Sequence, residues 1–181
     1  MRKMINICVV MLFVVTILFS MSVETNVNVN ATTTYKATID NDDSQGHSNK
    51  AVGTWTYVSD TDLYRNDARR IKSTKKSAEY YWIFKKSFEK DSAIYAKASV
   101  YINNPYFLDT AAEYYWDDTL VDKKAGTINQ KYATKGWNSL PKKKLTYALP
   151  DGTQYCSFLY VSPSGTGSNY TGADAVKVTI Y

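Results

Sequence analysis

The segment SAIYAKASVYI, residues 92–102, decides the fold class of this chain. Its residues alternate with a period of two, so that one face carries only alanine and branched aliphatic side chains, ending with Ile102. The opposite face carries polar residues and two tyrosines, Tyr95 and Tyr101. A strand with one apolar and one polar face is typical of a β-sandwich, in which each sheet covers the core with a single face.

Further short strand patterns, separated by turn residues, follow along the rest of the chain. The 16 tyrosines, with abundant Thr, Val and Ile, favour half-buried pleated surfaces. No segment keeps a 3.6-residue apolar period, and the charged stretch 65–77 is predicted to be a long loop. We therefore expect an all-β, jelly-roll-type β-sandwich of about 8–9 antiparallel strands over residues 51–181. A polar lead-in with the first strand, residues 32–50, precedes it.

The first 31 residues have the pattern of a secretory signal peptide. Arg2 and Lys3 precede an uncharged apolar run at 7–19, which is shorter than the about 20 residues that a membrane-spanning helix needs. Val29-Asn30-Ala31 places small residues where a signal peptidase reads, and Ser22 offers an earlier cleavage site. We expect cleavage, no stable membrane insertion afterwards, and a secreted protein that can associate with the cell wall. A retained membrane anchor is the alternative.

The charges of the remaining chain, 20 basic and 16 acidic residues, give no single basic face that the sequence reveals. Lysines come in scattered pairs, with a triplet at 142–144, and acidic residues are interleaved with them. Solvated lysines at strand ends explain this pattern, and attraction to an anionic cell-wall polymer is the alternative. Export and the lack of a recognition motif argue against nucleic acid as a partner.

Residues suited to catalysis are scarce. His47 is the only histidine, and Cys156 is the only cysteine after residue 31, so neither a zinc cluster nor a Cys/His pair can be assembled. Adjacent carboxylates such as Asp117-Asp118 do not provide the two separated environments that glycoside hydrolysis needs. We expect no enzymatic activity and no required cofactor.

A structural calcium site is one interpretation of the acidic residues near the start of the domain. Asp40-Asn41-Asp42-Asp43 concentrates hard oxygen ligands at the end of the first predicted strand. Asp174 opens the last strand, and antiparallel sandwiches often bring their first and last strands together. The candidate metal ligands are Asp40, Asp42 and Asp174, and a solvated acidic turn is the alternative.

Two of the four tryptophans are candidates for stacking against a sugar ring. Trp137 follows Gly136 in a predicted turn, and Trp116 precedes a pair of aspartates, whereas Trp55 and Trp82 have apolar neighbours and are predicted core residues. Recognition sites commonly combine aromatic faces with a few placed polar groups. Core packing remains the alternative for any one of these rings.

Four stretches in a fixed order are similar to the signatures of a known family. Gly53-Thr54-Trp55-Thr56 follows the acidic stretch, Thr127–Gln130 is followed by Gly136–Leu140, and Ala173–Val178 closes the chain. With the strand at 92–102, this order and spacing resemble golvesin-like domains, the modules that are also attached to xanthan lyases. The resemblance spans about Thr38 to Tyr181.

The resemblance implies a jelly-roll β-sandwich of the carbohydrate-binding-module type, usually an accessory domain of secreted enzymes. It adds Asn129, Gln130 and Asn138 to Trp137 and Trp116 as candidate ligand-binding residues. We expect a secreted, non-catalytic binding module for an extracellular or cell-wall glycan. An extracellular protein-interaction or self-associating protein without sugar affinity is the alternative.

Overall fold

The computed structural model describes residues 34–43, 47–85, 93–103, 105–117, 121–146 and 156–181. These residues belong to one compact unit, Thr33–Tyr181, and the predicted signal peptide lies outside them. The described ranges contain thirteen strands and a 3₁₀ turn, Tyr64–Asn66. No helix within these ranges has the length and apolar character that crossing a membrane requires.

The first sheet is built around β6, Ala93–Ile102, the strand that residues 92–102 predicted. Its inward residues, from Ala96 to Ile102, are at most 2% exposed. The strand β13 pairs with one edge of β6 and β1 pairs with β13, whereas β9 and β10 share the other edge of β6; all pairs are antiparallel. The other strands of this sheet are β1 (Tyr35–Ile39), β9 (Gly136–Ser139), β10 (Lys143–Thr146) and β13 (Val176–Ile180).

The second sheet has the antiparallel order β2-β5-β11-β7-β8. Each central strand alternates between core and outer face, as β7 shows with its strict buried and half-buried pattern. The strands are β2 (His47–Val52), β5 (Glu79–Lys85), β7 (Ala112–Asp117), β8 (Lys123–Ile128) and β11 (Cys156–Ser162). The structure does not describe the side chains of His47 and Cys156.

The core lies between the inward faces of these two sheets. Trp82, Phe84 and Trp116 of the second sheet are at most 1% exposed, and they belong to one cluster with the small inward residues of β6 and β13. The ring of Tyr35 on β1 stacks against Phe84, with 6.2 Å between centroids. Large aromatic residues on one sheet therefore face alanine and valine on the other, as dense packing requires.

A small third sheet, with the order β12-β4-β3, corrects the prediction of a loop at 65–77. Its strands are β3 (Thr56–Ser59), β4 (Asp67–Lys72) and β12 (Tyr170–Ala173). The charged residues of β4 suggested a loop, but Arg69 and Arg70 place their guanidinium groups over Tyr57 and Tyr170, at 4.8 and 4.5 Å from the ring centroids. Stacking on aromatic rings allows an arginine-rich segment to remain a strand.

The all-β prediction is confirmed, and the strand count is higher than the 8–9 expected. β2 ends at Val52 before β3 begins at Thr56, and β12 ends at Ala173 before β13 begins at Val176. The residues predicted as a lead-in, 32–50, contain β1 and most of β2, which pair with β13 and β5.

Candidate functional site

Three aromatic residues form a cluster on the outer face of the first sheet: Tyr64, Tyr101 and Trp137, here named the aromatic cluster. Trp137 lies opposite Tyr101 in the pairing of β9 with β6, and their ring centroids are 5.4 Å apart in an edge-to-face contact. The ring of Tyr64, from the 3₁₀ turn, contacts both, at 5.4 Å from Trp137 and 5.7 Å from Tyr101. All three side chains are half-buried, so they are fixed by packing and still reach solvent.

Backbone geometry at Gly136 directs Trp137 onto this face. Gly136 has φ 108°, in the left-handed region, and a Cβ at this position would meet nothing within 4 Å. The glycine is therefore required by its backbone conformation and not by crowding. It allows the chain to leave the preceding turn and enter β9 with Trp137 outward.

A lysine ammonium covers part of the Trp137 ring. Lys177 Nζ lies 4.0 Å from the ring centroid, within the range of a cation–π interaction. Lys177 is exposed, so this cation can move aside or can pair with an acidic group that approaches the ring. The site thus combines an aromatic surface with an exposed hydrogen-bond donor.

The structure brings none of the other predicted ligand residues into the aromatic cluster. Asn138, next to Trp137, points to the opposite side of β9, where its Nδ2 donates to the carbonyls of Thr134 (2.7 Å) and Gly136 (2.9 Å). Asn129 is exposed in a turn, and its Oδ1 accepts the backbone N–H of Tyr132 at 3.3 Å. Both asparagines therefore shape the turn that leads into β9.

Gln130 and Trp116 are corrected from ligand candidates to interior residues, since each is 0% exposed. Gln130 Nε2 donates to Tyr114 Oη (2.8 Å) and to the carbonyl of Gly172 (3.0 Å), and Gln130 Oε1 accepts the N–H of Gly172 (2.9 Å). The ring of Trp116 packs against Phe84, with 6.1 Å between centroids. The Gln130 side chain thus has a structural role: its hydrogen bonds join β7 to β12, and we call it a structural tie. The sequence alone did not distinguish this role from ligand binding.

A second aromatic group, on the outer face of the second sheet, is a row of three tyrosines across β5, β11 and β7, here named the tyrosine row. Tyr160 pairs with Tyr81 on one side and Tyr115 on the other, with centroid distances of 4.9 and 5.2 Å. Lys50 Nζ lies 5.6 Å from the Tyr81 ring. Because neighbouring rings cover one another, the row presents mainly ring edges.

Tyrosine hydroxyls of the tyrosine row donate hydrogen bonds to carboxylates. Tyr81 donates to Glu79 (2.5 Å), and Tyr160 donates to Asp122 (2.7 Å). Burial, followed by these acidic partners, raises the pKa of both phenols above its ordinary value. The row is therefore neutral and hydrogen-bonded within the protein, which suits it to stabilising the sheet.

A cluster of carboxylates lies where β1, β4 and the start of β13 meet. Carboxylate oxygens of Asp40, Asp42 and Asp67 lie within 4.8 Å of one another. The charge of Asp174 acts on the same region, since it interacts with the charges of Asp40 and Asp67. Asn41 Nδ2 links two of these aspartates, because it donates to Asp40 Oδ1 at 3.4 Å and to a carboxylate oxygen of Asp67. These four aspartates are here named the acidic cluster. Asp67 opens β4, in the stretch predicted as a loop, and sequence reasoning missed it.

Several oxygens of this region are buried without a hydrogen-bond partner. Asn41 Oδ1 and Asp174 Oδ1 are of this kind, on residues that are 2% and 1% exposed. Asp40 Oδ2 also accepts no hydrogen bond, and the nearest cation is Arg65 Nε at 3.7 Å. Burial is the largest cause that raises the pKa of Asp40 to about 6 and that of Asp174 to about 8. Buried oxygens of this type are ligands that Ca²⁺ prefers.

The 3₁₀ turn connects the acidic cluster to the aromatic cluster. The N–H of Tyr64 donates to Asp174 Oδ2 at 3.1 Å, and Arg65 faces Asp40. Arg65 and Asn66 have φ of 49° and 71°, so this turn depends on tertiary contacts for its conformation. The same turn supplies the Tyr64 ring, which packs on Trp137.

Comparison with solved structures finds chains of similar fold. Part of a xanthan lyase from Paenibacillus matches with a TM-score of 0.54 and 21% sequence identity, over 79% of this chain and 13% of the lyase. The C-terminal CBM6 of LamC, a marine laminarinase from Zobellia galactanivorans, matches with a TM-score of 0.43 and 8% identity over 80% of this chain and 99% of that module. The xylan-binding module CBM15 matches with 0.40 and 11%, over 80% and 97%.

The match to the xanthan lyase carries the assignment of fold. The expected resemblance to modules attached to xanthan lyases is confirmed at this level, and the chain spans about one eighth of the lyase's length. No protein-family model and no curated protein sequence matches this chain.

Proposed function

We propose that this protein is a secreted, non-catalytic glycan-binding module, and that the aromatic cluster is its binding site. The single observation that carries the proposal is the position of Trp137, half-buried on an outer sheet face and held by Tyr64 and Tyr101. Sugar rings have apolar faces that stack on aromatic side chains, and fixed rings lose little entropy on binding. The shared fold with part of a xanthan lyase agrees with a module of this class.

Binding to polysaccharides tests the proposal directly. Purified protein is incubated with insoluble polysaccharides and with purified cell wall, and the bound fraction is measured at low and high salt. We expect retention on at least one polymer at high salt. Trp137→Ala should weaken that binding about 30-fold, as the loss of one central aromatic contact of about 2 kcal/mol implies.

The matched control is Tyr57→Ala, which removes an aromatic ring that is 52% exposed and belongs to β3 of the third sheet. It should leave binding unchanged. Equal binding by Trp137→Ala and the unaltered protein would contradict the assignment of the site. No retention on any polymer would contradict the function itself.

A structural calcium site in the acidic cluster is the second proposal. It is supported by the buried, unpartnered oxygens of Asn41 and Asp174 beside three converging carboxylates. Asp40, Asp42, Asp67 and Asp174 are the proposed ligands, with Asp67 added to the set that the sequence suggested. A bound cation would neutralise carboxylates whose mutual repulsion and burial otherwise oppose ionisation.

Thermal unfolding of chelator-treated protein, with and without added CaCl₂, tests this site. A cation at 100 times its Kd adds about 2.7 kcal/mol of stability, which raises the Tm of a domain of this size by about 5–10 °C. Asp67→Asn should remove the calcium-dependent increase, whereas Asp62→Asn, an exposed aspartate paired with Lys135, should retain it. A Tm that does not respond to calcium would refute the site.

A further inference from the structure

Lysines on the outer face of the first sheet form one surface, although they come from separate parts of the chain. The outward, exposed lysines of β1, β13 and β6 are Lys36, Lys177 and Lys97, here named the lysine face. Lys144 on β10 lies opposite Tyr95 of β6 and extends the same face. Strand pairing thus collects basic residues that the sequence shows only as scattered positions.

The lysine face contains no acidic side chain among the described residues of its strands. The outward positions between the lysines are Thr38, Thr179 and Ser99. Two surface lysines elsewhere in the described part of the chain do have carboxylate partners: Lys135 pairs with Asp62 (2.7 Å), and Lys124 pairs with Glu113. The lysine face has no such ion pair within the described ranges, so its positive potential is not cancelled locally.

The spacing of these lysines is comparable with the distance over which salt screens charge. Lys36 and Lys97 both pair with Thr179, from opposite sides of β13, so their backbones lie two strand spacings apart, about 10 Å. Lys177 lies two residues along β13 from Thr179, between those two strands. The Debye length is about 8 Å at physiological ionic strength, so an acidic group bound over β13, between the two outer strands, lies within range of all three ammonium groups.

A shallow groove runs across this face. It is lined by Lys36, Lys97 and Lys177 together with Ser99, Thr179 and Tyr181. At one end Lys177 covers part of the Trp137 ring, and at the other Lys142 Nζ lies 4.3 Å from the Tyr181 ring and 4.7 Å from the Tyr95 ring. Hydroxyl groups and lysines therefore line a path that has aromatic rings at both ends.

We propose that the lysine face and the aromatic cluster together bind a linear, anionic glycan, whose acidic groups pair with the lysines while a sugar ring stacks on Trp137. This inference rests on the proposed function and specifies its ligand class. The acidic group is a carboxylate or a phosphodiester, since both accept hydrogen bonds from ammonium groups. Charge complementarity favours this ligand over a neutral one, because a neutral chain would leave the clustered lysines unpaired.

The test compares two triple variants of equal net charge. Lys36→Gln/Lys97→Gln/Lys177→Gln removes the lysine face, and Lys72→Gln/Lys75→Gln/Lys131→Gln removes three exposed lysines outside it. The probes are polygalacturonate, its fully methyl-esterified form, poly(glycerol phosphate), and vesicles of anionic lipid. We expect the face variant to bind the preferred polyanion at least 10-fold more weakly, with the control variant within about 2-fold of the unaltered protein.

A double variant, Lys36→Gln/Lys97→Gln, separates charge from stacking because it keeps Trp137 and Lys177, the lysine that lies over its ring. This variant should lose part of the polyanion binding, and its remaining binding should weaken with salt. Preference for polygalacturonate or for poly(glycerol phosphate) identifies the acidic group, and either result supports the proposal. Equal losses in the face and control variants would overturn it, as would binding to anionic vesicles alone.

If the methyl-esterified polymer binds as well as the acid and depends on Trp137, the ligand class is wrong while the proposed function stands. If no glycan binds, both fail.

Discussion

Replacing Gln130 with leucine tests whether this residue is a structural tie or a ligand contact. The Gln130 amide is 0% exposed and makes three hydrogen bonds, one to Tyr114 Oη and two to the backbone of Gly172. It thereby joins the turn after β8 to β7 and β12. Leucine has a similar volume, so the substitution removes the hydrogen bonds without opening a large cavity.

The magnitude follows from the groups left behind. The Tyr114 hydroxyl, the Gly172 N–H and the Gly172 carbonyl lose their partner inside the core, and each buried unsatisfied group costs about 1–3 kcal/mol. The greater hydrophobicity of leucine offsets about 1–2 kcal/mol of the sum. We expect a net loss of about 3 kcal/mol in the free energy of unfolding, which lowers the Tm by about 6–12 °C.

Denaturant unfolding, monitored by tryptophan fluorescence, measures this loss, and glycan binding by the folded variant is the second readout. Asn129→Ala is the control, since the neighbouring side chain is exposed and its loss should cost under about 1 kcal/mol. Folded Gln130→Leu protein should bind glycan as the unaltered protein does. A stability change below 1 kcal/mol together with lost binding would refute the structural role.

Two further predictions follow from the interior. A Cβ on Gly172 would lie 1.9 Å from Cδ1 of the fully buried Phe107, so Gly172→Ala should destabilise the domain by about 3 kcal/mol or more; a loss under 1 kcal/mol in denaturant unfolding would contradict this packing. In chelator-treated protein, the free energy of unfolding should fall as the pH rises from about 4 to 8. The pKa of Asp40, about 6, and of Asp174, about 8, exceed the value of 3.8 for an unperturbed aspartate, so the folded state binds more protons than the unfolded state in this range. Asp174→Asn should flatten that dependence, and an unchanged slope would show that Asp174 does not titrate as described.

Local patterns predicted the parts of the fold that depend on the alternation of side chains. The period-two pattern of residues 92–102 predicted β6 and its buried face, because alternate residues of a strand face opposite sides. The charged residues of β4 led to the wrong prediction of a loop. The stacking of Arg69 on Tyr57, which accommodates the charge, is a contact between two strands and is not visible in the local sequence. For the site, the sequence indicated Trp137 but not its partner Tyr64, whose ring arrives from a turn more than 70 residues earlier.

The sequence by itself determined the fold class, the scarcity of catalytic groups and the candidacy of Trp137 and the first acidic stretch. Only the tertiary structure decided that Gln130 and Trp116 are interior residues, that Asp67 joins Asp40, and that Lys36, Lys97 and Lys177 share one face. The physical reason is that alternation and turn residues are properties of neighbours along the chain, whereas burial and the sharing of a face depend on which strands pair. In a sandwich of antiparallel strands those pairings join distant residues, so a charge pattern that is scattered along the chain becomes a concentrated surface after folding.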